Sequence, residues 1–317
     1  MLRKLKFAKP EDEYKDLGLG TKFSEQKQRI INRDGTFNVR RVGIPRHLSF
    51  SIYHELISMS WLKFNLLVVT SFIIANLFFA SLYMLVGTNE LSGLNVSQGI
   101  SGFWDAFFFS GQTLTTVGFG RVSPIGFEAS IIAAVESMMG LLGFALATGL
   151  LYGRFSKADT KIIYSRNALI SPYKGINALM FRIINARKHQ LIDVEIQVVF
   201  SRLEILDGHT TRHYYNLDLE RKGVSFFPLS WTIVHPITED SPLKDISLED
   251  LEESQAEIMI IMKAFDDTFA QTVHSRSSYL YSEIVFNASF ENAFVNIPGE
   301  KTKFDMHKFH AYKKVLK

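Results

Sequence analysis

The chain has 317 residues, 47% of them hydrophobic and 21% charged, which is long enough for two domains. A chain that crossed a membrane many times would be mostly apolar, so with charge this plentiful the hydrophobic residues must be concentrated in a small membrane part. The absence of cysteine excludes disulfide frameworks, cysteine-ligated zinc, iron–sulfur clusters and thiol nucleophiles, while 35 basic residues against 32 acidic ones, without a long basic run, exclude nucleic acid as the expected partner.

Residues 1–48 are polar, mixed in charge and without an apolar run of signal-peptide length, which predicts a cytoplasmic N-terminal arm. Next, at about 100° per residue, Phe50, Ile52, Tyr53, Leu56, Ile57 and Met59 share one half-circle, and Ser51, His54, Glu55 and Ser58 fill the other. Beside a membrane span this pattern predicts an amphipathic interfacial helix over 49–60 with Trp61 as an aromatic anchor, the alternative being a cytoplasmic helix packed on its own domain. Phe64 to Val86 is free of charge over 23 residues, enough helix to cross a hydrocarbon core. The first span is therefore placed at 62–86. A second, at 129–153, carries one ionisable residue, Glu136, together with Gly140, Gly143 and Gly149. Arg40, Arg41, Arg46 and Lys63 precede the first span and Arg154, Lys157 and Lys161 follow the second, whereas the loop between holds only Arg121. That asymmetry puts both termini on the cytoplasmic side of a cell membrane.

After Phe155 the pattern changes to short β-branched runs such as Val194–Val198 and Glu257–Ile261. Asp207-Gly208, Lys222-Gly223, His235-Pro236 and Pro298-Gly299 read as turn signals between them. Many short strands over 154–317 predict a β-sandwich. Ser247, followed by Leu248-Glu249-Asp250-Leu251, predicts the cap of one short helix, and the acidic stretch from Glu239 to Glu257 reads as a solvated face or the lining of a cation vestibule. Phosphate-binding loops, dinucleotide fingerprints and serine nucleophile elbows are missing from the sequence, and His54-Glu55 lacks the second histidine of a zinc protease. No enzyme activity is expected. His235 is expected to be a satisfied structural histidine.

The loop between the spans holds the most informative residues. Gly102 to Leu114, GFWDAFFFSGQTL, is apolar and aromatic but too short to cross, which predicts a re-entrant helix over 102–114. Thr116-Val117-Gly118-Phe119-Gly120 follows at once and resembles the potassium-channel selectivity filter. Stripping water from potassium takes closely stacked rings of oxygen, supplied by a strand whose carbonyls all face one side. The two glycines permit the backbone angles this needs. On this reading the carbonyls of Thr116, Val117, Gly118 and Phe119 and the Thr116 hydroxyl face potassium, the permeant substrate and sole metal ion expected, with no other cofactor. Val117 and Phe119 would point away and pack on the surrounding helix. One chain supplies one side of each ring, so a homotetramer is implied.

From about Arg33 to the end, the chain resembles the inward-rectifier potassium channel family, especially its prokaryotic branch. Arg33-Asp34-Gly35 is similar to a basic-Asp-Gly turn of that family, and the amphipathic segment to its slide helix. Trp231–Ile237 with Asp240-Ser241-Pro242-Leu243, Ala270-Gln271 with Arg276–Tyr279, and Lys308-Phe309-His310 resemble signatures of its immunoglobulin-like domain. The resemblance implies an α+β membrane protein: a two-helix pore domain over 61–153 with re-entrant helix and filter, then a C-terminal cytoplasmic immunoglobulin-like β-sandwich. It implies a gate at the inner helix bundle, opened and closed by the cytoplasmic domain. Phe144, Thr148 and Tyr152, at i, i+4 and i+8, are the pore-lining candidates, and Tyr152 is the candidate gate unless it is an interfacial tyrosine. Gly143 and Gly149 are candidate hinges or sites of close packing. Phe144 stands where strong rectifiers place an acid, so strong rectification is not expected. Gln112 stands where many relatives carry a glutamate, so the ion pair supporting the filter is expected to be missing. Glu136 lies about 80° around the helix from Phe144, which makes it a filter-support residue, paired or protonated, in preference to an ion ligand. Lys63, Arg154 and Lys157 are candidates for anionic lipids or phosphoinositides, or else simple topology charges, and Asp159 and Thr160 interrupt the basic cluster of eukaryotic members.

Overall fold

The computed structural model describes residues 29–39, 43, 51–94, 100–158, 161–206, 209–227, 229–295 and 303–315. Most of the N-terminal arm, with Arg40, Arg41 and Arg46, lies outside them, as do residues 49 and 50 of the slide helix, Asp159 and Thr160, and the Asp207-Gly208 and Pro298-Gly299 turns. The chain divides into two bodies, Gly43–Lys157 and Met1–Val42 with Ala158–Lys317.

In the first body, helix α1 (Ile52–Ser58) opens on Ser51, whose side chain accepts from the His54 amide. It is shorter than the amphipathic period suggests because Met59 is extended and Ser60 caps the next helix, accepting from the Lys63 amide at 3.4 Å. That helix, α2 (Trp61–Val86), runs for 26 residues until Gly87, at φ +117°, ends it. Helix α3 (Ile100–Leu114) ends where the sequence predicts and starts two residues earlier. Helix α4 (Phe127–Phe155) extends 29 residues, beyond the apolar stretch at both ends. At about 1.5 Å per residue α2 and α4 each exceed a hydrocarbon core of about 30 Å, while α3 does not. The two long helices leave Leu62, Leu66, Leu85, Leu141 and Leu146 exposed on the single chain. Both helices are long and apolar enough to cross a membrane, and most of their length is not buried within the chain. A small core of Phe79, Ala80, Tyr83, Leu91, Ala106, Phe109, Val122 and Ala129 joins α2, α3 and α4. Strands β1 (Leu91–Ser92) and β2 (Ser123–Pro124) pair antiparallel and tie the chain before α3 to the chain after the TVGFG segment.

The second body is a β-sandwich. In one sheet β10 (Glu257–Asp266) lies between β11 (Gln271–Leu280) and the long β6 (Leu191–Leu206). The far half of β6 pairs with β7 (His209–Asn216) and its near half with β8 (Gly223–Phe227). In the other, β5 (Ile176–Asn185) has β9 (Ser230–Pro236) along one edge and, at the two ends of its other edge, β4 (Ala168–Tyr173) and β3 (Ile162–Tyr164), while β12 (Ile284–Phe286) runs parallel to β4. The β-branched runs of the sequence sit in β6 and β10 as neighbours, with Met259 opposite Val199. Inward residues of both sheets, among them Leu179, Phe181, Val198, Phe200, Ile260 and Tyr279, form the core.

His235-Pro236 is not a turn but the end of β9, in register with Leu179 and Ala178; the chain turns afterwards, where the Ser241 amide reaches the Thr238 carbonyl. Ser247 caps helix α5 (Leu248–Glu253) in a reciprocal capping box with Asp250. Glu239, Asp240, Asp245, Glu249, Glu252 and Glu253 of the acidic stretch are exposed, as a solvated face requires, and Glu257 at its end departs from that reading. It is buried, and its carboxylate accepts from the Ile30 and Ile31 amides at 2.8 and 3.1 Å. Ile30 and Ile31 pack on Val199, Tyr214 and Met259, and Glu283 pairs with both Arg29 and Arg33. Residues 29–38, with the Arg33-Asp34-Gly35 turn, are thus built into the sandwich.

Candidate functional site

Two consecutive features at the end of α3 shape the TVGFG segment. The helix continues for one tight turn, the Thr116 amide reaching the Thr113 carbonyl at 3.1 Å, and then stops because Thr116 adopts φ +59°. The Gln112 carbonyl, left without a helical partner, takes the Val117 amide at 2.9 Å and the Gly118 amide at 3.4 Å. Beyond it Gly118 and Gly120 are also left-handed, at φ +57° and +80°, so every second residue from 116 to 120 has positive φ. The glycines do this freely. For a β-branched threonine the same angle costs about 1–2 kcal/mol, and strain of this kind concentrates at functional sites. The sequence shows the glycines but gives no sign of the strained Thr116.

Val117 and Phe119 are 53% and 79% exposed, and apart from the adjoining residues nothing in the chain lies within 4 Å of where a Cβ would stand on Gly118 or Gly120. Within one chain, the expected packing of Val117 and Phe119 on the surrounding helix leaves both side chains mostly open. Behind the segment the packing is tight. A Cβ on Gly140 would stand 2.0 Å from the Leu114 carbonyl oxygen, so α4 passes the end of α3 in direct backbone contact. Gly143 and Gly149 make no such contact, leaving the hinge reading for them without a packing rival inside the chain.

One turn before Gly140, Glu136 is fully buried between the helices. Its Oε2 accepts from the Tyr83 hydroxyl of α2 at 2.7 Å, and its Oε1 bonds the Ser110 hydroxyl of α3. Ser110 also lies 3.1 Å from Asn76 Oδ1, and Asn76 donates from Nδ2 to the Phe72 carbonyl at 2.7 Å. Glu136 was legible from the sequence as an acid in a span. Tyr83, Ser110 and Asn76 were missed, because a tyrosine, a serine and an asparagine in apolar helices carry no positional signal until the helices are packed. Asp105 on α3 pairs with Arg121, directly after the TVGFG segment.

The remaining candidates lie on open surface or at helix ends. Phe144 and Tyr152 are 75% and 74% exposed, Thr148 between them is also exposed, and all three share one face of α4. Lys63, in the first turn of α2, and Lys157, after α4, are exposed. Arg154 is not: its guanidinium donates to the Leu56, Ile57 and Met59 carbonyls at 2.6, 3.1 and 2.7 Å and stacks 4.6 Å from the Trp61 and Phe64 rings. It closes the C-terminal end of α1, where carbonyls lack helical partners. Among the described residues no cluster of histidine and carboxylate groups could hold a metal ion.

The chain matches two family models: "Inward rectifier potassium channel C-terminal domain" over residues 162–317 and "Ion channel" over 66–157. It is 35% identical to inward rectifier potassium channel Kirbac3.1 of Paramagnetospirillum magnetotacticum, over 92% of this chain and 98% of that protein. It is 26% identical to ATP-sensitive inward rectifier potassium channel 12 of Gallus gallus, over 90% of this chain and 71% of that protein. It is 25% identical to inward rectifier potassium channel 4 of Mesocricetus auratus, over 90% and 72%.

Proposed function

The chain belongs to the inward-rectifier potassium channel family, and from that premise we propose that four copies form a pore conducting potassium passively through a filter at Thr116–Gly120. The observation that carries this reading is the alternation of left-handed backbone at Thr116, Gly118 and Gly120 straight after a short re-entrant helix. In an ordinary strand successive carbonyls face opposite sides; reversing the backbone hand at every second residue turns them to the same side, as a column of cation sites requires. Thr116, Val117, Gly118 and Phe119 then supply one quarter of each oxygen ring. The open sides of Val117 and Phe119 suit a site completed by further copies.

The face carrying Phe144, Thr148 and Tyr152 lines the inner pore in this proposal, with Tyr152 as the gate and Gly143 or Gly149 as the bend. Motion of the cytoplasmic sandwiches, transmitted through α1 and the chain after α4, opens it. Because Phe144 is apolar, block by intracellular cations is weak. Lys63 and Lys157 face anionic lipid or phosphoinositide headgroups, and Arg154 of the same basic group contributes by holding α1. Both termini are cytoplasmic.

The test is cation flux into liposomes holding the purified protein. Expected are a preference for potassium over sodium, block by barium, and loss of both in Gly118→Ser. A side chain at this φ costs about 1–2 kcal/mol, and the assembly repeats it in every subunit. Flux indifferent to ion and substitution overturns the filter assignment, and a mass other than four chains overturns the tetramer.

A further inference from the structure

The buried polar chain behind the filter segment fixes a proton that the heavy atoms do not show directly. It has four contacts: Phe72 carbonyl with Asn76, Asn76 with Ser110, Ser110 with Glu136, and Glu136 with Tyr83. The Phe72 carbonyl can only accept, so the nitrogen of the Asn76 amide faces it and the amide oxygen faces Ser110. That oxygen also can only accept, so the single hydroxyl proton of Ser110 goes to Asn76. Ser110 then has nothing left to give Glu136 Oε1. Tyr83 supplies a proton to the other carboxyl oxygen, Oε2. Asn76, Ser110 and Tyr83 provide three protons for four contacts, and the fourth belongs to the carboxyl group.

We propose that Glu136 is a neutral carboxylic acid in the working channel, donating from Oε1 to Ser110 and accepting at Oε2 from Tyr83. It acts as a positioning residue for the filter. A charged carboxylate would place two acceptors against each other somewhere along the chain. It would also be a fully buried anion with none of the described lysines, arginines or histidines paired to it, an arrangement that burial strongly penalises. The neutral form runs in one direction, Tyr83 to Glu136 to Ser110 to Asn76 to the α2 backbone, and leaves every member satisfied. Its effect reaches the filter through α3. Ser110 is pinned two residues before Gln112, whose carbonyl holds the Val117 and Gly118 amides. Asn76 approaches closely because residue 111 is glycine: a Cβ there would stand 3.3 Å from the Asn76 amide oxygen.

The proposal rests on the filter reading only for its functional consequence; the proton itself is measured separately. Infrared spectra of the full-length channel in lipid at neutral pH, with and without isotope-labelled glutamate, should show a protonated-carboxyl stretch that shifts with the label. It should vanish in Glu136→Gln. Glutamine is the neutral isostere, its amide nitrogen donating to Ser110 and its oxygen accepting from Tyr83. Glu136→Gln should therefore assemble and keep the potassium-over-sodium preference within about threefold, whereas Glu136→Ala and the Tyr83→Phe, Ser110→Ala double variant should lose about tenfold or more. A purely space-filling role predicts no such split between Gln and Ala. Absence of the labelled band, or a Glu136→Gln channel that fails to assemble or loses its preference, overturns the proposal. If Gly118→Ser leaves flux unchanged, the filter reading falls while the infrared result still decides the proton.

Discussion

In the sandwich, Phe181, Phe200 and Tyr279 are enclosed between two sheets of the same chain, while in the pore body the enclosed set is a small knot around Tyr83, Ala106 and Phe109, and Phe119, Phe144 and Tyr152 stay open. One body closes its hydrophobic core within one copy. The other leaves most of its apolar surface open on the single chain, the surface that the proposed assembly gives to lipid and further copies, and joins its helices by hydrogen bonds and backbone contact at a few points, Glu136 and Gly140 above all. Stability of the fold and precision of the filter are thereby assigned to different residues, and substitutions should separate them.

The largest effect should come from the closed core. Phe181→Ala removes a fully buried ring from between the sheets and should cost about 3–5 kcal/mol. Thermal or denaturant unfolding of the cytoplasmic body should register the whole loss, while channels that remain folded keep their ion preference. A changed preference would break the separation. Next comes Gly140→Ala, whose methyl group would meet the Leu114 carbonyl at 2.0 Å, backbone that has no rotamer to yield. Overpacking of this kind costs about 1–3 kcal/mol per chain, and here it displaces the end of α3. Expected are loss of potassium preference or of the tetramer, with the unfolding of the sandwich unmoved. Gly143→Ala and Gly149→Ala, with open space at the Cβ position in the chain, are the controls for ion preference and assembly, since a stiffer bend acts on opening and not on either readout. Glu257→Gln is smaller, about 1–2 kcal/mol. The amide can accept from one of the Ile30 and Ile31 amides but turns a donor toward the other. Faster hydrogen exchange confined to residues 29–38 is the expected readout.

Legibility from sequence follows the same division. The unusual backbone of Thr116 to Gly120 was partly legible because its cause is local: Gly118 and Gly120 announce left-handed angles, and the short apolar stretch before them announces the helix from which the segment emerges. The spans could be read because length and charge decide them. The sandwich signatures could also be read, and the structure shows what they hold: Tyr279 donates to the Ser165 carbonyl at 2.8 Å and Phe309 is fully buried. Contacts between distant residues gave no signal. Glu257 meets Ile30, and Glu283 meets Arg29 and Arg33, across more than 200 positions, so a buried tether read as part of a solvated acidic run. Arg154 read as a topology or lipid charge because nothing in the sequence shows that the end of α1 lies beside it. His235-Pro236 read as a turn because proline usually ends a strand, and here it does so only after the pair has completed β9.

The smallest predicted effect tests the closed body by pH. His235 lies buried with Nδ1 at 2.6 Å from the Asp218 carbonyl and Nε2 at 2.8 Å from the Ser241 hydroxyl. A carbonyl only accepts, so Nδ1 carries the proton and Nε2 takes the one from Ser241, whose oxygen in turn accepts from the Leu243 amide. Burial holds the imidazole below its ordinary value of 6.5. A second proton would need Nε2 to donate where it now accepts. The unfolded chain therefore binds a proton that the folded one refuses. The stabilisation is complete above the unfolded value and is lost as pH falls below about 6.5 toward the folded value, with a slope no steeper than that of one proton, about 1.4 kcal/mol per pH unit. His310, lowered chiefly by burial, has the same sign, so the measurement is a difference: melting of wild type against His235→Asn between neutral and mildly acidic pH. Asparagine keeps a donor toward the Asp218 carbonyl and does not titrate. The gap between the two proteins should narrow as pH falls and stay constant above neutrality. A gap that widens on acidification would mean that the charged imidazole is tolerated inside the sandwich, and that this body is less tightly closed than its core residues imply.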